Sequence, residues 1–482
     1  MFLEFDPDRG APASASSTWV PPSDASEEVG RPAGVADAVE PELTREVEAT
    51  QTPYRLTGLV DVALRNSPLT RNTWEQARAA AAAAGVARGS YYPQISIGGS
   101  VDFSRGVGAS GAQAYEEETY GPAANLSWLL FDFGAREATI DAAVQTLIAS
   151  NFEHNQEVLD LILGVSQAYY QLVGAQGLVT SGELSVDDAA ASVRAARARM
   201  EAQIATAYDA LQAEATLAQT RLNLDLFRGQ LESARGLLAA SLGLPANVRI
   251  DVASPTGEPP VERASASVDA LIEDARRRRP DLAAAWATFR AQEAELREAE
   301  AARWPQIQAT GTVQRIWGTT GASTGQDQST DVTLGGVPYN TSVGFTVPLF
   351  EGFTLLNQVR EARAEAAAAL AEAQAQDQQA IAEVWNSYAN LVTAGRALSD
   401  TREFLDASKK AYEAARVSYA NGLGSILELL QAQIALAQAR QQEMQTITSW
   451  YVSLAQLAHD AGILTEDLAP DAVVDALRTG VP

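Results

Sequence analysis

A chain of 482 residues could fold as several domains, but 35 Lys and Arg against 61 Asp and Glu give a formal charge of −26. That balance excludes nucleic acid as a partner, because neutralising phosphate needs clustered cations. With no cysteine and only His154 and His459, in unrelated contexts, no disulfide, thiolate metal site or lipid-bearing N-terminal Cys is expected from this sequence, and a histidine metal centre is argued against.

In chain order, residues 1–53 are rich in Pro, Ala, Ser and acids without a periodic apolar face, which predicts a flexible acidic leader. Its start, Met1-Phe2-Leu3-Glu4-Phe5-Asp6, does not resemble a secretory signal; an exported form is expected to carry a signal not present here. Residues 54–245 read as a first structural unit. An alanine-rich helix is predicted over about 69–90. Gln94 to Phe103 then alternates with period two, predicting a strand over about 94–105. A polar, Gly-rich loop over about 105–120 leads to a returning strand over about 120–131. From about Ala135 to Met200 there is no proline, and Val158, Leu161, Ile162, Val165, Tyr169 and Leu172 form one helical stripe. That helix would be roughly 100 Å long. A shorter helix over about 206–242 closes the unit.

Residues 246–266, with Pro255, Pro259 and Pro260, predict a linker. Residues 267–464 then repeat the unit. Arg276 to Arg279 read as a solvated helix end before Pro280. A helix over about 281–303 and strands over about 306–317 and 339–350, joined by a loop over about 318–338, follow. A second long helix from about Leu355 to Tyr419 carries Ile381, Val384, Trp385, Tyr388 and Leu391, and a helix over about 425–461 ends the unit. Residues 465–482 form a C-terminal tail.

The two units are copies. Tyr92-Pro93-Gln94-Ile95 returns as Trp304-Pro305-Gln306-Ile307. Phe131, Tyr169, Arg197, Gln212 and Gly243 return at an offset of 219 as Phe350, Tyr388, Arg416, Gln431 and Gly462. A period near 200 residues far exceeds the 20–50 of stacked repeat arrays, so this is a duplicated half-structure. Each copy reads as helix, β-hairpin, long helix and helix, with two short helices stacked along the long one.

No apolar run approaches the ~18–20 residues a membrane-spanning helix needs. The strands are another matter. Strands of this length, apolar on one face and small-polar on the other, suit a transmembrane barrel; a soluble sheet with one wet face shows the same alternation. Two hairpins give four strands per chain, too few to close, and open edges are not tolerated in lipid. Three chains related by cyclic symmetry would pool twelve strands around a lumen. Gln94, Ser96, Gln306, Gln308 and Thr310 would line it.

The sequence resembles the TolC-type outer-membrane efflux protein family, the outer membrane factors, over about 55–464. The resemblance rests on Tyr92-Pro93-Gln94-Ile95, on Trp128-Leu129-Leu130-Phe131-Asp132, on Val347-Pro348-Leu349-Phe350-Glu351-Gly352, and on Tyr169 and Tyr388. It implies a mainly α fold with a transmembrane β-barrel portion: a homotrimer with a twelve-stranded barrel in outer-membrane lipid, continued by a long α-helical tunnel in the periplasm. It further implies docking to a periplasmic adaptor, or membrane fusion protein, and to an inner-membrane pump of RND, ABC or MFS type. At the tunnel tip, Tyr419, Gly422 and Glu428 match the family's tyrosine, turn glycine and first constriction acid. Gly424 stands where the family has an arginine, and Gln431 where it has a second constriction acid. Asp209 matches an acid that braces the closed tip, and Gln203 replaces a turn glycine.

The residues allow other readings. Ser425 with Glu428 and Thr206 with Asp209 fit helix capping boxes, with or without a gating role. Tyr92, Trp128, Phe131, Trp304 and Phe350 could form an interfacial aromatic girdle or simply pack where strand meets helix. The two histidines read as structural. No catalytic constellation is present and no cofactor is implied. The expected function is a passive outer-membrane exit duct of a tripartite efflux or type I secretion system, gated at its periplasmic tip. The alternative is a soluble coiled-coil scaffold.

Overall fold

The computed structural model describes residues 47, 52–107, 113–255, 259–261, 267–324 and 328–464. The tail over 465–482, nearly all of the leader over 1–53 and part of the linker lie outside the described residues.

Each copy has the same succession of helices. In the first, α1 (Leu56–Asn66) and α2 (Pro68–Gly89) precede a hairpin of β1 (Gln94–Val107) and β2 (Gln113–Phe131), then α3 (Ala135–Glu201) and α4 (Ala207–Ser241). In the second, α5 (Val268–Arg278) and α6 (Pro280–Ala301) precede β3 (Gln306–Gln314), β4 (Ile316–Thr324), β5 (Gln328–Gly336) and β6 (Tyr339–Thr346), then α7 (Thr354–Ala420) and α8 (Ile426–Asp460). Matching helices have equal lengths of 11, 22, 67 and 35 residues. The short helices α1 and α5, which the apolar pattern did not single out, end where Pro68 and Pro280 force the preceding residue into extended backbone.

Side by side, the helices run α2 and α4, then α3, then α6 and α8, then α7. Nearest the sheet the seams are built from alanine: Ala284, Ala287, Ala291, Ala294 and Ala301 of α6, and Ala366, Ala373 and Ala380 of α7, are buried at coiled-coil spacing. Small side chains there let the helices approach closely. Midway along the long helices a larger core gathers Leu59, Ile162, Val165, Leu172, Trp450 and Leu457. The described part of the linker fastens to it: Ala253 O accepts from the Tyr169 hydroxyl at 2.5 Å and Tyr54 N–H donates to Asp251 O at 2.8 Å. A second core, with Tyr412, Tyr419, Leu429, Leu430 and Leu436, fills the far end. Of the expected second stripe, Val384 and Leu391 are buried, but Trp385 is 56% exposed in the single chain.

The sheet corrects one expectation. Residues 105–107, 113–120, 318–324 and 328–336, expected in loops, are strand. β2 pairs with β3 through residues 123–131 and with β4 through residues 113–120, while β6 pairs with β3 and β5 with β4. The six segments therefore occupy four positions: β1, β2, β3 with β4, and β6 with β5, all antiparallel. The second hairpin is interrupted at Arg315 and at Val337-Pro338 but not ended there. Its outer half mixes Gly with Thr and lacks apolar alternation, yet Thr and Val keep it extended.

Candidate channel wall and tip gate

Antiparallel register puts paired residues on one face, and the pairing sorts the four strand positions by polarity. Gln94 faces Ser127, Ser127 faces Thr310 and Thr310 faces Ser342; Ser96, Asn125, Thr312 and Asn340 form the next row. This face is laced across strands: Gln308 donates to Ser127 Oγ at 2.8 Å, Thr310 and Ser342 hydroxyls meet at 2.8 Å, and Thr312 donates to Asn125 Oδ1 at 3.1 Å. All five sequence-predicted lumen residues, Gln94, Ser96, Gln306, Gln308 and Thr310, share it. The opposite face is apolar and uncovered. Ile97 is 83%, Phe345 76% and Val343 69% exposed, with no described helix packed over them. A water-soluble sheet does not leave a continuous apolar face bare.

The girdle candidates gather where strands meet helices, and all of them are exposed. The Trp128 indole N–H donates to Tyr91 O at 3.0 Å; Phe131 meets Phe133 edge-on, Trp304 stacks against Phe133, and Phe350 packs on Phe353. A bulge at Leu129/Phe131 keeps Phe131 level with Ile307 on the apolar face. Sequence reading missed a second aromatic level, where Tyr120 stacks on Trp317 at 6.1 Å. It lies along β2 about 36 Å of strand from Phe131, or about 28 Å of height at a 40° tilt, close to the span of a hydrocarbon core.

Strand passes to helix through two consecutive left-handed residues in each copy: Phe133 (φ 54°) and Gly134 (φ 92°), then Gly352 (φ 62°) and Phe353 (φ 67°). In the first copy, buried Asp132 also accepts from the Arg136 backbone N–H and Nε, at 2.9 and 3.0 Å. Arg136 caps the carbonyls of Leu129 and Leu130. The second copy has Glu351 and Leu355 at these positions and lacks that ion pair.

At the tip both predicted capping boxes form. Asp209 accepts from Thr206 N–H at 2.9 Å, and Glu428 from Ser425 N–H at 3.1 Å. Glu428 is exposed and Asp209 half-buried, and both sit next to α-helical N-termini. The turns that precede them need a left-handed residue, supplied by Gly422 (φ 78°) and, against ordinary preference, by Gln203 (φ 61°). Gly424 is tight, since a Cβ there would lie 3.2 Å from both Glu428 Oε2 and Ser418 Cβ. Gln431 is exposed, whereas its neighbour Gln433 is buried and accepts from Ser192 at 2.8 Å. Tyr419 is buried in the tip core under Arg199, a residue sequence reading did not single out.

Midway along the rod, structure overturns the solvated reading of Arg279. Its side chain is 6% exposed and pairs with Asp281 at 2.6 Å and Glu383 at 2.7 Å, and donates to Asp460 O. Beside it His459 bridges α8 to α3, with Nε2 2.8 Å from Asp160 and Nδ1 3.0 Å from Asp460. Burial alone would lower the His459 pKa, but the two carboxylates outweigh it and raise it to about 9. Burial likewise opposes ionisation of Asp281, and the Arg279 guanidinium outweighs it, holding that carboxyl below its usual range. His154 plays a smaller part, meeting Thr73 of α2 at 3.0 Å.

The sequence profile of outer membrane efflux proteins matches residues 59–244 and 271–462, one segment for each copy. The chain belongs to that family. It is a family of outer-membrane channel proteins and not of enzymes. Among relatives of this outer membrane efflux protein, Protein CyaE of Bordetella pertussis is 29% identical over 80% of this chain and 79% of its own length. Outer membrane protein OprJ of Pseudomonas aeruginosa is 27% identical over 78% of this chain and 77% of its own. The solved outer-membrane channel OprN superposes with a TM-score of 0.71 over 84% of this chain and 89% of that one, at 22% identity.

Proposed function

We propose that three copies of this outer-membrane efflux protein close into one passive duct, the sheets pooling into a twelve-stranded barrel and the helices into a periplasmic tunnel gated at its tip. The observation that carries this reading is the bare apolar face of a sheet whose two edge positions, β1 and β6 with β5, have no strand partner on their outer side among the described residues. An edge and an apolar face are both costly in water, and barrel closure in lipid removes both costs. The helical layer is open in the same sense. Leu222 and Leu226 on α4 and Trp385 and Phe404 on α7 are exposed on its two lateral helices, so α7 of one copy can meet α2 and α4 of the next. The polar face, with Gln94, Ser96, Gln306, Gln308 and Thr310, then lines the lumen. The aromatics Tyr92, Trp128, Phe131, Trp304 and Phe350 mark the periplasmic lipid boundary.

In this reading a periplasmic adaptor and an inner-membrane pump, of RND, ABC or MFS type, deliver substrate to the tip and supply all the energy. Asp209, Tyr419, Gly422, Gly424, Glu428 and Gln431 lie at or beside the gate. Three copies of Glu428 at a constriction would repel one another and favour cations. The test is planar-bilayer conductance of the detergent-purified protein beside Asp209→Asn and Glu428→Gln, which keep a capping side chain and lose the charge. Discrete cation-preferring steps that become less selective in either variant are expected. Selectivity unchanged in both would leave the acids as caps only. Failure of the well-folded protein to insert would favour the soluble scaffold.

A further inference from the structure

Arg199 sits in the last turn of α3, at the first tip, yet its contacts are with the second. Its guanidinium carbon lies 4.6 Å from the centre of the Tyr419 ring, and Nη1 donates to the Tyr419 backbone carbonyl. Both targets are electron-rich. The ring presents its negative face, and the carbonyl belongs to the C-terminal turn of α7, where the helix dipole attracts a cation. The Tyr419 hydroxyl, in contrast, is buried without a hydrogen-bond partner among the described residues, and so is Arg199 Nε. A hydroxyl that bonds nothing cannot be the fastening.

The link runs one way. The position matching Tyr419 in the first copy is Met200, and the position matching Arg199 in the second is Ser418, so the reciprocal contact has neither a ring nor a cation. Gly422 lies directly beside this contact, since a Cβ there would be in ordinary van der Waals range of Arg199 Nη2 at 3.6 Å. We propose that Arg199 is the positioning residue of the gate: its cation, set on the ring and carbonyl of Tyr419, holds the two tips of each chain together, and opening requires Tyr419 to leave it. The two buried unpaired groups make this hold releasable, since both gain water when the tips part. The inference rests on reading the tip as the gate.

The experiment compares full-length wild type with Arg199→Met, Arg199→Lys, Tyr419→Leu and Tyr419→Phe, by bilayer conductance and by amide hydrogen exchange in detergent. Arg199→Met and Tyr419→Leu should speed exchange at 417–424 about tenfold, the scale of one partly desolvated cation–π contact, and lengthen open dwell times. Arg199→Lys should fall between them and wild type, and Tyr419→Phe, which keeps the ring and removes the unpaired hydroxyl, should exchange and open no faster than wild type. Exchange around Trp450 serves as the folding control and should not change. The proposal is overturned if Arg199→Met leaves tip exchange and dwell times unchanged, or if Tyr419→Phe loosens the tip as much as Arg199→Met does. A wild-type protein that never conducts, with tip exchange still responding to Arg199→Met, would remove the duct reading and keep the link.

Discussion

The two copies share helix lengths residue for residue but are fastened by different chemistry. Where the kink between α1 and α2 meets the end of α4, neutral Asn66 donates to the carbonyls of Leu242 and Gly243 at 3.0 and 2.9 Å. At the matching place in the second copy, buried Arg279 is held by Asp281 and Glu383, with His459, Asp460 and Asp160 beside it. The first copy has Ser67, Leu69 and Gly164 in place of Arg279, Asp281 and Glu383, and Ala240 in place of His459. The asymmetry reverses at the sheet, where only the first copy has the Asp132–Arg136 joint. Architecture in this fold is thus set by element length and apolar spacing, while each joint is solved separately.

The sharpest way to break that comparison is at the two kinks. Replacing Arg279 by Met strands two carboxylates in a half-buried setting and should cost about 3–5 kcal/mol, whereas Asn66→Ala should cost about 1–2. Urea unfolding in detergent, followed by far-UV circular dichroism, measures both; equal losses would mean that the charged joint is no stronger in kind. Next comes pH. The folded pKa of His459, about 9, exceeds its unfolded value of about 6.5, so its contribution is complete below about 6.5 and fades as pH rises through 9. The full span is worth about 3 kcal/mol, and His459→Gln should abolish it. A wild-type stability profile flat between pH 6.5 and 10 would contradict this.

The smallest effect sharpens the comparison at the tips. Gln203→Gly should stabilise the first turn by up to about 1 kcal/mol, and Gly422→Ala should destabilise the second by a similar amount, because both positions hold a left-handed backbone. Matched shifts of opposite sign in the same unfolding assay would show that the two turns differ in residue and not in shape.

Much of the fold was legible in the sequence because proline-free apolar stripes and period-two strands report directly on helix and sheet. The long helices, the polar face of the strands and both capping boxes follow from spacing alone. The outer halves of the second hairpin were not legible, since strands that need not contact lipid lose the alternation that betrays them. Arg279 was misread for a related reason. Its partners Asp281, Glu383 and Asp460 come from three helices, and a run of four arginines looks like a solvated helix end until those helices are assembled. Arg199 left no trace at all, because the repeat offers Ser418 in its place. Its role exists only across 220 residues of chain.

The equal 67-residue spans of α3 and α7 act as a pair of matched rulers. A single residue inserted in one of them would advance its tip by about 1.5 Å and rotate it by about 100°, taking every side chain beyond the insertion out of phase with the sister helix. Seven residues added to both would lengthen the rod by about 10 Å and turn each tip by only about 20°. The depth to which the tip reaches is therefore adjustable across evolution, but only in steps that keep helical phase, such as a heptad, taken by both long helices together with the α4 and α8 that return from their tips.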